Sequence, residues 1–254
     1  MEPRNCSLLV VVPAYNEADS VAGVVHSVRE HAPGFDVIVI DDGSTDDTAK
    51  NGAEAGAGVV RLPFNLGIGG AVQTGFQYAL EHGYDYLAQV DGDGQHEPAE
   101  LEALLLAITA DPSVDMVCGS RFLSPETTYS APVSRRTGIH LFAFALSKIL
   151  GQRITDPTSG FRIYNRRAIR LFARDYPHDY PEVEAVLMLH THRLRMAEVP
   201  VEMHQRGGGH SSITKTRSLY YMLKVSLALV VGLLRRHPVV EPGDPAPVAA
   251  SRRI

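Results

Sequence analysis

Short apolar runs, each the length of one strand, set the frame of this chain. They lie at residues 7–12, 36–40, 58–62, 84–90 and 114–118. The first two are nearly unbroken Val, Ile and Leu, without the polar alternation of a half-exposed strand. Runs of this kind belong to strands buried on both faces. Between them the spacing turns helical: Val21, Val24, Val25 and Val28 fall on one face of a helix over 17–29. Helices are expected likewise over 71–81 and 97–108, with Pro98 at a tolerated first-turn position. Alternating short strands and helices predict an α/β chain, Rossmann-like, with a mostly parallel sheet and helices on both faces.

In such a sheet, ligands bind beyond the carboxyl ends of the strands. A polar cluster follows each run at that end. The clusters are Pro13-Ala-Tyr-Asn-Glu17, Asp41-Asp-Gly-Ser-Thr-Asp46, Asn65-Leu-Gly-Ile-Gly-Gly70, Asp91-Gly-Asp-Gly-Gln95 and Gly119-Ser-Arg121. Their convergence on one edge points to a ligand site. Ser44 or Thr45 is the expected N-cap of the helix after the second run. The glycines at 67, 69 and 70 lack the dinucleotide-binding spacing, which belongs after the first strand. Gly67 and Gly70 are expected to permit close packing of helix on sheet.

The fourth cluster carries the chemistry. Alternate side chains of an extended chain point the same way, so Asp91 and Asp93 are expected to aim together past a strand end. Gln95 continues the alternation with a third oxygen. Gly92 leaves room for a ligand against the backbone. Convergent carboxylates disfavour each other unless a cation lies between them, and oxygen-only ligation suits Mg²⁺ or Mn²⁺. The same residues also read as an ordinary Asp-Gly turn after a strand. Taken alone they do not decide between the two.

Composition excludes several classes. A net charge of -5 argues against nucleic acid as a partner. Cys6 and Cys118 give neither a disulfide framework nor zinc spacing, and suit a reducing cytoplasm. The eleven histidines show no metal-ligand spacing; His96 reads equally as a diphosphate contact or a structural residue. No signal peptide is expected, because the first apolar run is short and Pro13 ends it.

Past Arg121 the pattern loosens. A mobile loop is expected over 123–132, then an apolar helix over 139–150 preceded by Arg135 and Arg136. Residues 156–162 read as a turn into a short strand, 166–172 and 181–192 as helices, and 195–201 as a strand. A second glycine-rich loop spans 205–212. A long helix over 215–236 follows, then a Pro/Ala-rich tail. The apolar run 219–234 would extend about 24 Å at roughly 1.5 Å per residue, short of a bilayer core of about 30 Å. Lys224 interrupts it, and Lys215, Arg217, Arg235 and Arg236 flank it. This suits an amphipathic helix in a membrane interface; a core or dimer helix is the other reading.

These motifs resemble the family 2 glycosyltransferases of the GT-A fold, and most of all their dolichyl- or polyprenyl-phosphate sugar synthase branch. The resemblance is carried by Val12-Pro-Ala-Tyr-Asn-Glu17, Asp41-Asp-Gly-Ser-Thr-Asp46, Asn65-x-Gly67, Asp91-Gly-Asp-Gly-Gln-His96, Gly119-Ser-Arg121 and Asp156-Pro-Thr-Ser-Gly-Phe161. It runs in family order to about residue 213. It implies a GT-A domain over 1–213; beyond it the residues read as an amphipathic helix over 214–237 and a disordered tail over 238–254.

The resemblance also implies roles. Pro13, Tyr15, Glu17, Asp41, Asp42 and Gly67 would hold the nucleotide of a nucleotide-sugar donor. Asp91 and Asp93, with Gln95, would bind a divalent metal, Mg²⁺ or Mn²⁺, on the donor diphosphate. Arg121 with Arg135 or Arg136 would meet an acceptor phosphate. Arg206 and Ser211 would close over the donor. Where the family usually has a lysine after that serine, this chain has Ser212, with His210 and Lys215 nearby.

The implied reaction is inverting transfer of a sugar from GDP-mannose or a UDP-hexose to a polyprenyl phosphate. Such an acceptor arrives ionised. A hydroxyl acceptor on a cell-wall polysaccharide or small molecule is the alternative, and would need a carboxylate base. Asp156 is the candidate for that base and Glu184 the second; Asp156 also reads as an Asp-Pro turn residue. Asp93, Arg121 and Asp156 would then carry the chemistry. The implied setting is cytoplasmic, at the inner face of the cell membrane, with the membrane surface as a partner and a homodimer or small membrane protein as a further one.

Overall fold

The computed structural model describes residues 7–124, 133–178 and 181–203, and only the backbone of 133–135. Its elements in chain order are β1 (Leu8–Ala14), α1 (Val21–His31), β2 (Asp36–Asp41), α2 (Thr48–Glu54), β3 (Gly58–Arg61), α3 (Gly67–Glu81), β4 (Tyr86–Gln89), α4 (Leu101–Ala110), β5 (Met116–Ser120), α5 (Val133–Leu150), β6 (Arg162–Asn165), α6 (Arg166–Arg174), α7 (Pro181–Thr191) and β7 (Met196–Pro200). A single 3₁₀ turn, Pro98–Glu100, leads into α4.

The strands form one seven-stranded sheet in the order β3-β2-β1-β4-β6-β5-β7. β1 lies parallel to β2 and β4, and β5 parallel to β7. β6 is inserted antiparallel between β4 and β5. The expected mostly parallel sheet is present. From β1 the chain builds outward one way through β2 and β3, then returns to add β4 on the other side. Strand order therefore reverses between β1 and β4, the position where open α/β sheets leave a crevice at their carboxyl ends.

Two apolar layers cover the sheet. On one face Leu9, Val11, Ile38, Ile40 and Leu87 pack under α3, α5, α6 and α7. Phe76 of α3 is the hub there, with ring centroids 4.9 Å from Tyr164, 5.2 Å from Phe172 and 5.2 Å from Tyr176. On the other face Val10, Val12, Val39, Ala88 and Val117 pack under α1 and α4. The alternation along β1 explains both layers: successive valines point to opposite faces. Each fully buried large side chain contributes about 1.5–3 kcal/mol of transfer free energy.

Several local expectations are corrected. Neither Ser44 nor Thr45 caps α2; Asp47 occupies that position. The Ser44 hydroxyl instead accepts from the Asn16 amide, and the Thr45 amide donates to Asn16 Oδ1, both at 2.9 Å. α3 begins at Gly67, not Ala71, because Asp42 receives its first amides from across the crevice. α5 begins at Val133, so Arg135 and Arg136 lie inside the helix. Gly119 and Ser120 belong to β5 itself. The rest of the loop expected over 123–132, the second glycine-rich loop, the helix expected over 214–237 and the tail over 238–254 lie outside the described residues.

Candidate active site

At the crevice a cleft of about 290 Å³ opens between the ends of β1, β2 and β4 and the start of α3. It is lined by Pro13, Tyr15, Glu17, Asp42, Gly67, Asp91 and Asp93, together with Ala14, Asn65, Ile68, Ala71 and Gly92. The fold thus brings together eight residues that sequence reasoning had singled out, Gly92 among them.

The walls are knitted to each other. The Glu17 amide donates to Thr48 Oγ1 at 2.8 Å, and the Ala18 amide to Asp46 Oδ2 at 3.2 Å. Ser20 Oγ lies 2.7 Å from the Gly92 carbonyl and 2.9 Å from Glu17 Oε2, tying the first cluster to the fourth. Asn16 holds a left-handed φ of 54°, and Tyr15 before it stands 47% exposed at the cleft.

Asp42 and Asp41 differ in role. Asp42 Oδ1 accepts from the Leu66 amide at 2.7 Å and Oδ2 from the Gly67 amide at 2.9 Å. This caps α3 from another strand and satisfies donors that a helix start leaves open. Gly67 has φ +82°, which a side chain would strain. Burial raises the Asp42 pKa against these two amides, and Asp41 pushes the same way. Asp41 is fully buried, accepts from the Ser44 amide at 3.0 Å, and pairs at 3.2 Å with Arg61, at an angle that makes no hydrogen bond. It supports the turn beneath the cleft and does not line it.

Asp91 and Asp93 both face the cleft. Gln89 Nε2 donates to Asp91 Oδ1 at 3.1 Å, and the Asp91 amide to His96 Nδ1 at 3.0 Å. His96 is buried, with its ring 5.0 Å from that of Phe161, so it holds the turn from below. Asp93 Oδ1 accepts from the Gln95 amide at 3.1 Å. The Gln95 side chain is not part of the lining. Among the described residues no three His, Cys, Asp or Glu side chains form a metal cage. The donor set still fits a hard divalent ion: two carboxylate ligands, with the remaining oxygens left to a bound diphosphate and water, is the usual arrangement for Mg²⁺-type sites.

Arg121 and Asp156, assigned separate tasks from sequence, are bonded to each other. Arg121 Nε and Nη2 reach Asp156 Oδ2 and Oδ1 at 2.6 and 2.7 Å, and Nη2 also reaches Thr158 Oγ1 at 2.8 Å. Both side chains are buried. Glu198 of β7 holds the loop carrying Asp156, accepting from the amides of Thr155 and Asp156 at 2.9 Å each. Burial raises the Glu198 pKa. Arg136 is exposed on α5; the side chain of Arg135, and Arg206, His210, Ser211, Ser212 and Lys215, lie outside the described residues.

Glu182, at the start of α7, was missed. Burial raises its pKa; the Asp91 charge adds to this, and Arg162 and Arg121 oppose it. Sequence reasoning had preferred its neighbour Glu184, half-buried on the same first turn. Nothing local distinguishes the two. Only the docking of α7 beside the strand ends brings Glu182 into the field of Asp91.

Comparison with known proteins agrees with this geometry. The model for glycosyl transferase family 2 matches residues 9–172. An undecaprenyl-phosphate mannosyltransferase of Micrococcus luteus is 32% identical over 217 residues, covering 82% of this chain and 87% of its own. A polyprenol monophosphomannose synthase of Mycolicibacterium smegmatis is 30% identical over 238 residues, covering 90% and 89%. Among solved structures, a glucosyl-3-phosphoglycerate synthase of Mycobacterium tuberculosis, held with Mn²⁺, uridine-diphosphate-glucose and phosphoglyceric acid, superposes with a TM-score of 0.68. It shares 22% identity and covers 89% of this chain and 79% of its own. That likeness gives the fold: the GT-A architecture.

Proposed function

The chain belongs to glycosyl transferase family 2, and we propose that it moves a hexosyl group from a nucleotide diphospho-sugar to the phosphate of a polyprenyl phosphate. The observation that carries this reading is the sealing of Asp156. A hydroxyl acceptor must lose a proton to a base. The acid assigned that task from sequence has no exposed surface, and both its oxygens are bound by Arg121. A phosphate acceptor needs no such base. The names of the two relatives, both transferases to polyprenyl phosphates, support the same choice.

In this reading Pro13, Tyr15, Glu17 and Asp42 hold the nucleotide, with the exposed Tyr15 ring as its apolar wall. Asp91 and Asp93 hold a divalent cation, Mn²⁺ or Mg²⁺. When bound, such an ion neutralises charge that builds on the departing diphosphate. An oxygen of the acceptor phosphate attacks the anomeric carbon from the face opposite the leaving group. The bond from that carbon to the diphosphate oxygen breaks, so configuration inverts and a nucleoside diphosphate departs. Arg121, its plane fixed by Asp156, and Arg136 on α5 orient the acceptor phosphate. The donor is GDP-mannose or a UDP-hexose.

The membrane belongs to this reading as well. Arg136, His140, Leu141, Phe144 and Lys148 share the exposed face of α5, with Leu141 57% and Phe144 63% exposed. Apolar side chains ringed by basic ones suit an anionic lipid interface. No described helix is long and apolar enough to cross a membrane. In this reading the exposed face of α5 meets the lipid, with the enzyme at the inner face of the cell membrane.

A second reading rests on Glu182. Burial raises its carboxyl pKa within the field of Asp91, which suits a base toward a hydroxyl acceptor, though Glu182 is not among the residues that line the cleft. The test is transfer of labelled sugar from GDP-mannose and from UDP-hexoses, with polyprenyl phosphate, free polyprenol and oligosaccharides as acceptors. Label entering the organic phase only with the phosphorylated lipid supports the first reading. Label on a hydroxyl acceptor alone overturns it in favour of the second.

A further inference from the structure

Asp91 is packed on several sides by residues that no assigned role employs. Two positions earlier on the same strand face, Gln89 is 2% exposed, an amide in an otherwise apolar strand. Its Nε2 donates to Asp91 Oδ1 at 3.1 Å. On another side, His96 Nδ1 accepts from the Asp91 amide at 3.0 Å. A neutral His96 therefore carries its proton on Nε2, which lies 3.5 Å from Asp91 Oδ2. On a third side the backbone of Gly160 closes in. A methyl group there would sit 2.9 Å from Asp91 Oδ2, 3.1 Å from Oδ1 and 3.2 Å from Gln89 Nε2. Gly160 has no positive φ, so the turn itself does not demand glycine. The missing side chain makes room for the carboxylate.

We propose that Gln89 and Gly160 are positioning residues that hold the Asp91 carboxylate in its cleft-facing orientation before any ligand arrives. This rests on the reading of Asp91 as a cation ligand. The chemistry of the pair suits that task. An amide donor orients a carboxylate without the positive charge with which Lys or Arg would compete with the metal. The absent side chain at Gly160 leaves both oxygens the space they occupy; a methyl group there would force the carboxylate to turn. Preorganised ligands of this kind depend on the groups behind them as much as on the ligands themselves. The loop from Asp156 to Phe161 then serves two groups: Asp156 fixes Arg121 at one end, and Gly160 backs Asp91 at the other.

The test is Mn²⁺ binding by the full-length chain, read from the electron paramagnetic resonance of free Mn²⁺, for parent, Asp91→Asn, Gln89→Met and Gly160→Ala. Melting midpoints are recorded alongside, with the affinity for UDP and GDP in the absence of metal. Gln89→Met keeps the volume and loses the donor, so it carries the test if Gly160→Ala does not fold. The expected result is at least a fivefold loss of Mn²⁺ affinity in Gln89→Met and in folded Gly160→Ala, with nucleotide affinity within twofold of the parent. A merely structural defect would weaken both ligands together. Parent-like Mn²⁺ affinity in Gln89→Met, while Asp91→Asn has lost it, overturns the proposal and leaves the metal reading intact. Parent-like affinity in Asp91→Asn overturns the metal reading and the proposal with it.

Discussion

The guanidinium of Arg121 meets the carboxylate of Asp156 through Nε at 2.6 Å and Nη2 at 2.7 Å, across 35 residues of sequence, with Asp156 fully buried and Arg121 5% exposed. Charge-assisted, bidentate geometry of this kind is the strong form of the interaction. Breaking a buried pair from one side leaves the other charge unpaired, which costs about 3–5 kcal/mol. Asp156→Ala is expected to lose that much stability in urea unfolding and to lose sugar transfer with it. A stable, active Asp156→Ala would show that Arg121 does not depend on its partner.

Asp42 joins the second strand to the start of α3 through two amides. Asp42→Asn keeps one acceptor oxygen and turns an amide donor toward the other N–H. A hydrogen bond to a charged group contributes about 1.5–3 kcal/mol, and less where the donor is exposed, as Leu66 is. Because the same carboxylate lines the cleft, nucleotide affinity is expected to fall about tenfold, a change of about 1.4 kcal/mol. Calorimetric titration with UDP and GDP reads both affinities.

Most of the sheet was legible from sequence because its strands are short, apolar and ended by polar turns. Two kinds of feature were not. The first is the antiparallel β6, which separates β4 from β5. Its residues Arg162-Ile-Tyr-Asn165 look like any short strand, and direction is set by pairing with Gln89 and Cys118, far away in sequence. The second is long-range capping. The glycines before Ala71 read as a turn, yet the Gly67 amide is met both locally, by Asn65 Oδ1 at 3.0 Å, and from across the crevice by Asp42, and only the local half of that cap lies within the segment itself. The cleft residues were found because each follows a strand. The Arg121–Asp156 pair was not, since nothing in either segment names the other.

Glu182 makes stability depend on pH. Burial is the main reason that its folded-state pKa stands above the usual carboxyl value of 4.5. Between the unfolded and folded values the native state keeps a proton that the unfolded chain has released. Stability therefore falls as pH rises through that window, and the loss is complete above the folded value. Glu182→Gln stays neutral throughout. Its melting midpoint is expected to match the parent's at about pH 4 and to exceed it by pH 8. A difference that does not change with pH would contradict the assignment.

Gly75 sets how closely α3 lies on the sheet. A methyl group there would stand 2.5 Å from Val11 Cγ1 and 2.9 Å from Cγ2. Overpacking of this sort costs about 1–3 kcal/mol. Gly75→Ala is expected to be destabilised by that amount. Val11→Ala in the same chain should restore part of it, because the two sites are in contact and their effects do not add. Urea unfolding of the two single variants and the double variant gives the coupling.

The reading depends above all on where a divalent ion binds. The most direct measurement is anomalous diffraction at the manganese edge from a crystal of the chain with Mn²⁺ and a nucleoside diphosphate. The expected result is one peak about 2.0–2.6 Å from a carboxylate oxygen of Asp91 or Asp93, the range for hard divalent ions on oxygen, with diphosphate oxygens completing its shell. A nucleotide seated in the cleft with both acids turned away and the ion bound elsewhere would contradict it.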